Sequence, residues 1–412
     1  MNPFLVIILV ILIGDYFLTL IVEFLNLRYL SPGLPDEFKG FYDKERYLKS
    51  QKYLRDTTSF GIIHESIITP MTIIFLLFGG FDLVDQFARG FGLASISTGL
   101  IFAAIILLAS QILNLPFLVY STFVIEEKYG FNKTTIKTFI LDILKTLVLG
   151  AIIGGGIFLA ILWFFEKAGP WAWFYCWITL TVIQVFLMYL APVIIMPLFN
   201  KFIPLEDGTL KNAIENYAVS QDFRIKGVFK MDGSKRSTKS NAFFTGFGKF
   251  RRIVLFDTLI ENHSEDELVS VLAHEIGHCK KKHTLKLMLI SICTTGILFY
   301  ILSQFISNPV LFDAFKMQET SIYAGLIFFG FLYTPIDMIL SVFVNLLSRK
   351  HEYQADNFAI STYGEPKSMI NALKKITVDN LSNLTPHPLK VFLEYSHPPV
   401  LERINAIRKH SI

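Results

Sequence analysis

Charge is what this sequence has little of: Asp, Glu, Lys and Arg make up only 17% of its 412 residues, against roughly a quarter in an ordinary globular domain. That deficit argues against a soluble fold. The net charge of +4 is too small and too dispersed to make a nucleic-acid-binding surface. Cysteine is scarcer still. Cys176, Cys279 and Cys293 form no C-x-x-C and supply no disulfide framework. No internal repeat or low-complexity tract stands out. Apolar bulk is present instead: 52% hydrophobic residues, 40 Phe and a mean hydropathy of +0.49. This is the composition of a polytopic membrane protein.

Runs long enough to cross a bilayer fall at 4–25, 61–81, 98–122, 146–165 and 172–198, with two more at 284–306 and 320–347. The first is too long for a removable signal peptide and lacks its basic start and small-residue cleavage site, so it reads as a mature helix. A polar loop, 27–59, opens on turn signals at Pro32-Gly33 and Pro35. Residues 199–283 change character. Short strands are expected at 226–231, 240–245 and 252–256, parted by turns at 232–234 and 246–248. The polar stretch 348–412 reads as helical, broken at Pro386, Pro388, Pro398 and Pro399. The chain thus divides into a membrane region, 1–198, with five spans, and a region 199–412 combining a small sheet, two spans and a helical tail. The fold class expected is mainly α, with about seven transmembrane helices and a small α+β domain. Basic residues gather after the first and third spans, across 201–283 and in the tail. By the positive-inside rule these face the cytoplasm and the N-terminus lies outside.

At the border of the polar segment stands His274-Glu275-Ile276-Gly277-His278. On a helix the two His lie one turn apart on one face, so both imidazoles can reach one metal ion while Glu275 stands beside them, as in a zinc peptidase. Ser264 with Glu267 reads as a capping box, Glu265 and Asp266 suit a helix N-terminus, and Leu268, Val271, Leu272 and Ile276 make an apolar stripe. A helix over 264–282 follows. Cys279, about 100° round from His278, is no ligand. A catalytic zinc needs a third protein ligand and an open position. A metzincin would place a His at position 284, where Thr stands, and His283 is one residue early. The best candidate is Glu352, just past the seventh run, with Asp356 one turn on to hydrogen-bond a ligand His. A solvated, charged helix end explains the same residues equally well.

Three stretches then carry a resemblance: Val271-Leu-Ala-His-Glu-Ile-Gly-His278, Ser348-Arg349-x-x-Glu352-Tyr-Gln-Ala-Asp356, and Tyr395-Ser-His397-Pro-Pro-x-x-x-Arg403. Together they resemble the signatures of the type I CAAX prenyl proteases, integral membrane zinc metalloproteases of the gluzincin kind. Ser240-Asn241-Ala242-Phe-Phe-Thr and Arg252-Ile-Val-Leu-Phe-Asp resemble that family's strands before the motif. The resemblance implies seven helices enclosing a chamber capped from the cytoplasmic side by the site. It implies one zinc ion held by His274, His278 and Glu352, with Glu275 as general base. It further implies that His397 and Arg403 line the cleft, Arg403 orienting His397 or the substrate, and that Asn241 and Ala242 lie on the edge strand that pairs with substrate. The partners implied are a lipid bilayer and a peptide or protein substrate, lipidated or not, with no nucleic acid and no oligomeric state specified.

Duller readings accompany each of these. His397 and Arg403 could satisfy a turn at Pro398-Pro399, and Asn241 could be an ordinary turn residue. His64, Glu65, Asp142 and Asp337, in or beside apolar runs, could face a watery chamber or pair within the bundle. Short segments around the seventh run and a tail, Arg408 to Ile412, without an endoplasmic-reticulum retrieval signal suggest a bacterial member in an inner membrane. A quality-control protease of damaged membrane proteins is the alternative within the same chemistry. A transporter or channel with an incidental motif is the alternative outside it.

Overall fold

The computed structural model describes residues 2–31, 33–245 and 252–410. Six helices come first: α1 (Pro3–Tyr29), α2 (Lys44–Leu77), the short α3 (Gly80–Arg89), α4 (Ser95–Glu126), α5 (Ile136–Lys167) and α6 (Gly169–Phe199). β1 (Phe202–Pro204) and α7 (Thr209–Ser220) open the polar segment, followed by β2 (Gly227–Met231), β3 (Ala242–Thr245), β4 (Arg252–Phe256) and α8 (Asp257–Asn262). The remainder is helical: α9 (Glu265–Lys280), α10 (His283–Phe305), α11 (Pro309–Ala314), α12 (Ile322–Tyr363), α13 (Pro366–Asp379), α14 (Pro388–Glu394) and α15 (Val400–His410). Among the described residues seven helices, α1, α2, α4, α5, α6, α10 and α12, are long and apolar enough to cross a bilayer.

Each expected run corresponds to one of these, but three helices outgrow their runs, α5 by its start at Ile136 and α2 and α12 by more. About half of the expected loop 27–59, from Lys44 on, is the first part of α2. Asp43 caps it by accepting from the Arg46 N–H at 2.6 Å, and Tyr47 and Tyr53 bury their rings there. A hydropathy run marks the membrane-embedded part of a helix, not its full length. The 42-residue α12 does the same at its other end, running about 63 Å at 1.5 Å per residue and carrying Glu352 and Asp356 on its polar extension.

Packing concentrates at the two ends of the bundle. One core gathers the start of α1 (Ile8), the end of α2 (Leu76), the start of α4 (Phe102) and the start of α12 (Phe328), plugged by α3 and α11. The other gathers the start of α2, the end of α4 and the tail, through Tyr47, Ile125, Tyr129, Met369 and Ile404. Between these caps the spans bury little: in the most apolar window of α2 and of α5 only 6% of residues are buried, and in α6 none. Seven helices that pack together at both ends and bury little between them leave room for a chamber within the bundle.

The sheet is four-stranded, in the order β1-β2-β4-β3. β2 and β4 run parallel, Gly227 opposite Arg252, while β3 is antiparallel to β4, Ala242 opposite Leu255. Three strands fall within a residue or two of their expected places, and β1 adds a fourth. β3 is therefore an edge strand. The expected turn at 246–248 lies outside the described residues. The buried faces of β2 and β4 (Val228, Ile253, Leu255) pack with α7 against Leu268, Leu272 and Ile276 of α9.

Candidate active site

α9 starts as its sequence requires. Ser264 accepts from the Glu267 N–H while the Glu267 carboxylate accepts from the Ser264 N–H, a reciprocal cap worth about 1 kcal/mol. Leu268, Leu272 and Ile276 are buried as the stripe predicts, each contributing about 1.5–3 kcal/mol. Val271 departs from the expectation. It turns to the opposite face and, with His274, Glu275 and His278, lines a cavity of about 760 Å³.

α12 crosses behind that face. Gly277 is the contact point: a Cβ there would lie 3.1 Å from the Ala355 Cα and 3.2 Å from the Phe358 Cβ. The missing side chain lets the two helices approach until the Glu352 carboxylate stands among the imidazoles. His274 Nε2 and His278 Nε2 are 3.0 Å apart, and Glu352 lies 3.4 Å from the first and 3.2 Å from the second. One donor atom from each falls within 4.8 Å of the others. Two imidazole nitrogens and a carboxylate oxygen at this spacing form a donor set for a divalent ion. Glu352 Oε2 is buried and faces only cationic or ring nitrogens, Arg403 Nη1 at 3.2 Å and His274 Nε2 at 3.4 Å.

A second layer fixes these groups. His274 Nδ1 donates to Asp356 at 2.8 Å. Arg403 of α15 grips Asp356 with two bonds, Nε to Oδ2 at 2.8 Å and Nη2 to Oδ1 at 2.6 Å, and its Nη1 lies 3.2 Å from Glu352. The guanidinium is buried, gives its two shorter hydrogen bonds to Asp356 and sets Nη2 3.4 Å from His274 Nδ1, so it braces the carboxylate layer. The sequence reading gave it a partner in His397 or the substrate. Three carboxylates, Glu275, Glu352 and Asp356, thus share one permanent cation. Burial opposes charge on His274, but hydrogen bonds to Asp356 and Glu352 outweigh it and lift the imidazole to about 9. The cluster favours a further positive charge, as a proton or as a metal ion. Burial pushes the Glu275 carboxyl above its usual range, against the pull of the two His.

The rest of the cavity comes from far along the chain. Arg349 donates to the Val391 and Tyr395 carbonyls, tying the tail to α12 just before His397. His397 is exposed, with Nε2 3.5 Å from Glu352 and Nδ1 paired to the Ser396 hydroxyl at 3.0 Å. Asn241, just before β3, and Ala242, its first residue, also line the cavity, and the preceding Ser240 is held by Asn380 through two hydrogen bonds. Of the site residues singled out from sequence, all but Asp356 line one cavity; Asp356 lies behind it, bonded to His274 and Arg403. Sequence reasoning rejects His283 as a ligand and assigns it no other part, yet its Nδ1 lies 3.1 Å from His278 Nδ1. Its place depends on Lys282, a non-glycine residue at φ +59°, and no spacing rule reveals that.

Residues 23–201 match the family described as CAAX prenyl protease N-terminal, five membrane helices, and residues 204–411 match peptidase family M48. A CAAX prenyl protease 1 homolog of Arabidopsis thaliana is 39% identical over 93% of both chains. The CAAX prenyl protease 1 of Saccharomyces cerevisiae is 35% identical over 92% of this chain and 88% of its own. The crystal structure of S. mikatae Ste24p superposes with a TM-score of 0.91, at 35% identity and 99% coverage of each chain. These relatives are eukaryotic and span nearly the same length, so the expectation of a bacterial source gains no support from them. The chain belongs to peptidase family M48, among the CAAX prenyl protease 1 (Ste24) homologues, and is a multi-pass membrane metallopeptidase that acts on peptide or protein substrates.

Proposed function

We propose that the metal is a single Zn2+ held by His274, His278 and Glu352, and that the chain cuts prenylated, membrane-associated proteins near their C-termini. The observation that carries this is the convergence of those three donors within 4.8 Å on a cavity that Glu275 and an edge strand also line. Zinc, when bound, supplies Lewis acidity that lowers the pKa of a water to about 7 and polarises the scissile carbonyl. Glu275 takes the proton of the attacking water and returns it to the leaving amine, a role suited to a carboxyl that burial makes a stronger base than usual. Asp356 keeps His274 in the tautomer whose Nε2 faces the metal, and Arg403 holds Asp356. His397, the exposed member of the cluster, donates to the developing oxyanion. The main chain of Asn241 and Ala242 pairs with the extended substrate by strand addition.

Support for a lipidated substrate comes from the relatives, which are named as prenyl proteases. The basic loops set the N-terminus outside and the site and tail in the cytoplasm. A glycosylation tag on each terminus tests this, since modification of the C-terminal tag would reverse it.

The deciding experiment gives purified protein a farnesylated peptide, its unmodified twin and an unfolded membrane protein. Preferential cleavage of the farnesylated peptide is expected. Equal cleavage of the twins defeats lipid recognition, and preference for the unfolded protein favours quality control. Glu275→Gln should retain stoichiometric zinc by elemental analysis while losing cleavage by about 10³-fold or more. A Gln variant with ordinary turnover removes Glu275 from the chemistry, and wild-type protein without stoichiometric metal removes the metal.

A further inference from the structure

We propose that His283 is a positioning residue for the metal site: its Nδ1 accepts the Nδ1–H of His278, and its own Nε2–H is donated to Gln354. This rests on the reading of His278 as a ligand. His278 turns Nε2 towards His274 and Glu352, at 3.0 and 3.2 Å, so the lone pair must be on Nε2 and the proton on Nδ1. That Nδ1 meets His283 Nδ1 at 3.1 Å. Two ring nitrogens at hydrogen-bond distance need one proton between them, so His283 Nδ1 is the acceptor. A neutral His283 then carries its proton on Nε2, which lies 2.9 Å from Gln354 Oε1, an oxygen that only accepts. Every proton in the chain His278–His283–Gln354 is accounted for without a charge.

The surroundings keep it so. His283 is 1% exposed, so no water replaces the acceptor. The His351 ring stacks on it nearly parallel, 9° between planes and 4.0 Å between centroids, fixing the plane in which Nδ1 points. Lys282 takes a left-handed φ of +59°, a conformation that non-glycine residues seldom adopt, and so brings the first residue of α10 back beneath His278. The two ligand imidazoles are oriented from opposite sides, His274 by Asp356 and His278 by His283.

Two substitutions separate hydrogen bonding from packing. His283→Phe keeps a ring to stack on His351 and offers no acceptor. His283→Asn offers Oδ1 near the position of Nδ1 and no ring. The purified full-length protein is stripped, loaded with Co2+, and followed by chelator competition and by visible d–d absorption. His283→Phe is expected to bind Co2+ about 10–100-fold more weakly, with an altered d–d band. His283→Asn should stay within about threefold of wild type, with the wild-type band. Gln354→Leu, which leaves both histidines in place and covers the case of an unfolded Phe variant, is expected to weaken Co2+ binding about tenfold. Wild-type affinity in His283→Phe or in Gln354→Leu overturns the proposal, as does His283→Asn binding as weakly as His283→Phe. Failure of wild-type protein to take up Co2+ at all counts instead against the metallopeptidase site.

Discussion

Asp356 holds two partners at once: it accepts from His274 Nδ1 and forms both hydrogen bonds to the buried Arg403. Asp356→Asn keeps the shape and removes the charge, leaving a neutral amide where Arg403 had a bidentate carboxylate and Glu352 at 3.2 Å as its remaining ion-pair partner. Chelator competition should show metal affinity about 10–100-fold lower, and unchanged affinity would mean that Arg403, not His274, is what Asp356 serves. His263, just before the cap of α9, tests burial by a different route. Its Nδ1 donates to the Leu259 carbonyl at 3.0 Å, its Nε2 is buried without a partner, and burial holds its pKa below the ordinary 6.5. The unfolded chain therefore binds the proton more readily than the folded one. This stability is complete above pH 6.5 and is lost as the pH falls from there towards the lower folded pKa. His263→Asn retains a donor for Leu259 and removes the titration. Its unfolding temperature should fall less than the wild type's between about pH 7.5 and 5.5, by roughly 2 °C. Parallel curves would assign the pH response to other groups.

Helix α9 positions three of the site residues, and its crossing with α12 decides whether Glu352 reaches them. Gly277 sets that crossing, because any Cβ would press on the Ala355 backbone. Gly277→Val should force the helices apart at a cost of about 1–3 kcal/mol. Bound metal per chain should fall well below one in folded protein, and full occupancy would show that the ligands adjust independently of the crossing. The local half of this element was legible beforehand: the capping box, the apolar stripe and the one-turn spacing of the His are properties of consecutive residues. Strands β2, β3 and β4 were legible for the same reason, since β-branched and aromatic runs between Gly and Asp turns need no partner to be recognised, whereas the three-residue β1 was not. The non-local half was not. Sequence leaves Glu352 balanced between a ligand and a solvated helix end, because its burial depends on Gly277 lying opposite Ala355, 78 positions away. Arg403 was marked as a cleft residue, yet its bond to Asp356 is a contact across 47 residues. The start of α2 was hidden because its polar turns are paid for by tertiary packing of Tyr47 and Tyr53, which hydropathy does not register.

At the scale of the molecule, the ionisable groups in the spans distinguish a filled bundle from a hollow one, and they do not all answer alike. Asp142 is explained by pairing: Arg236 grips it with bonds of 2.7 and 2.9 Å, tying α5 to the polar domain between β2 and β3. His64 is likewise paired, with Asn114 at 2.6 Å and Glu65 at 3.2 Å. Asp337 is different. It lies in the apolar part of α12, is exposed, and has no side-chain partner among the described residues. A bare carboxylate in hydrocarbon costs at least about 2.5–3.5 kcal/mol, so its side chain must face water, and the only water available at that depth is inside the bundle. Asp337→Cys should therefore react with a membrane-impermeant maleimide in reconstituted protein carrying Cys279→Ser and Cys293→Ser. Cys176, 1% exposed, stays in that background as the thiol that should not react. Labelling at position 337 at a rate near that of a surface thiol means that the chamber is continuous with bulk water, so a hydrolytic site at its rim has its nucleophile at hand. A thiol at 337 as inert as Cys176 would mean that the helices close on each other or on lipid there, and the hollow bundle would have to be abandoned.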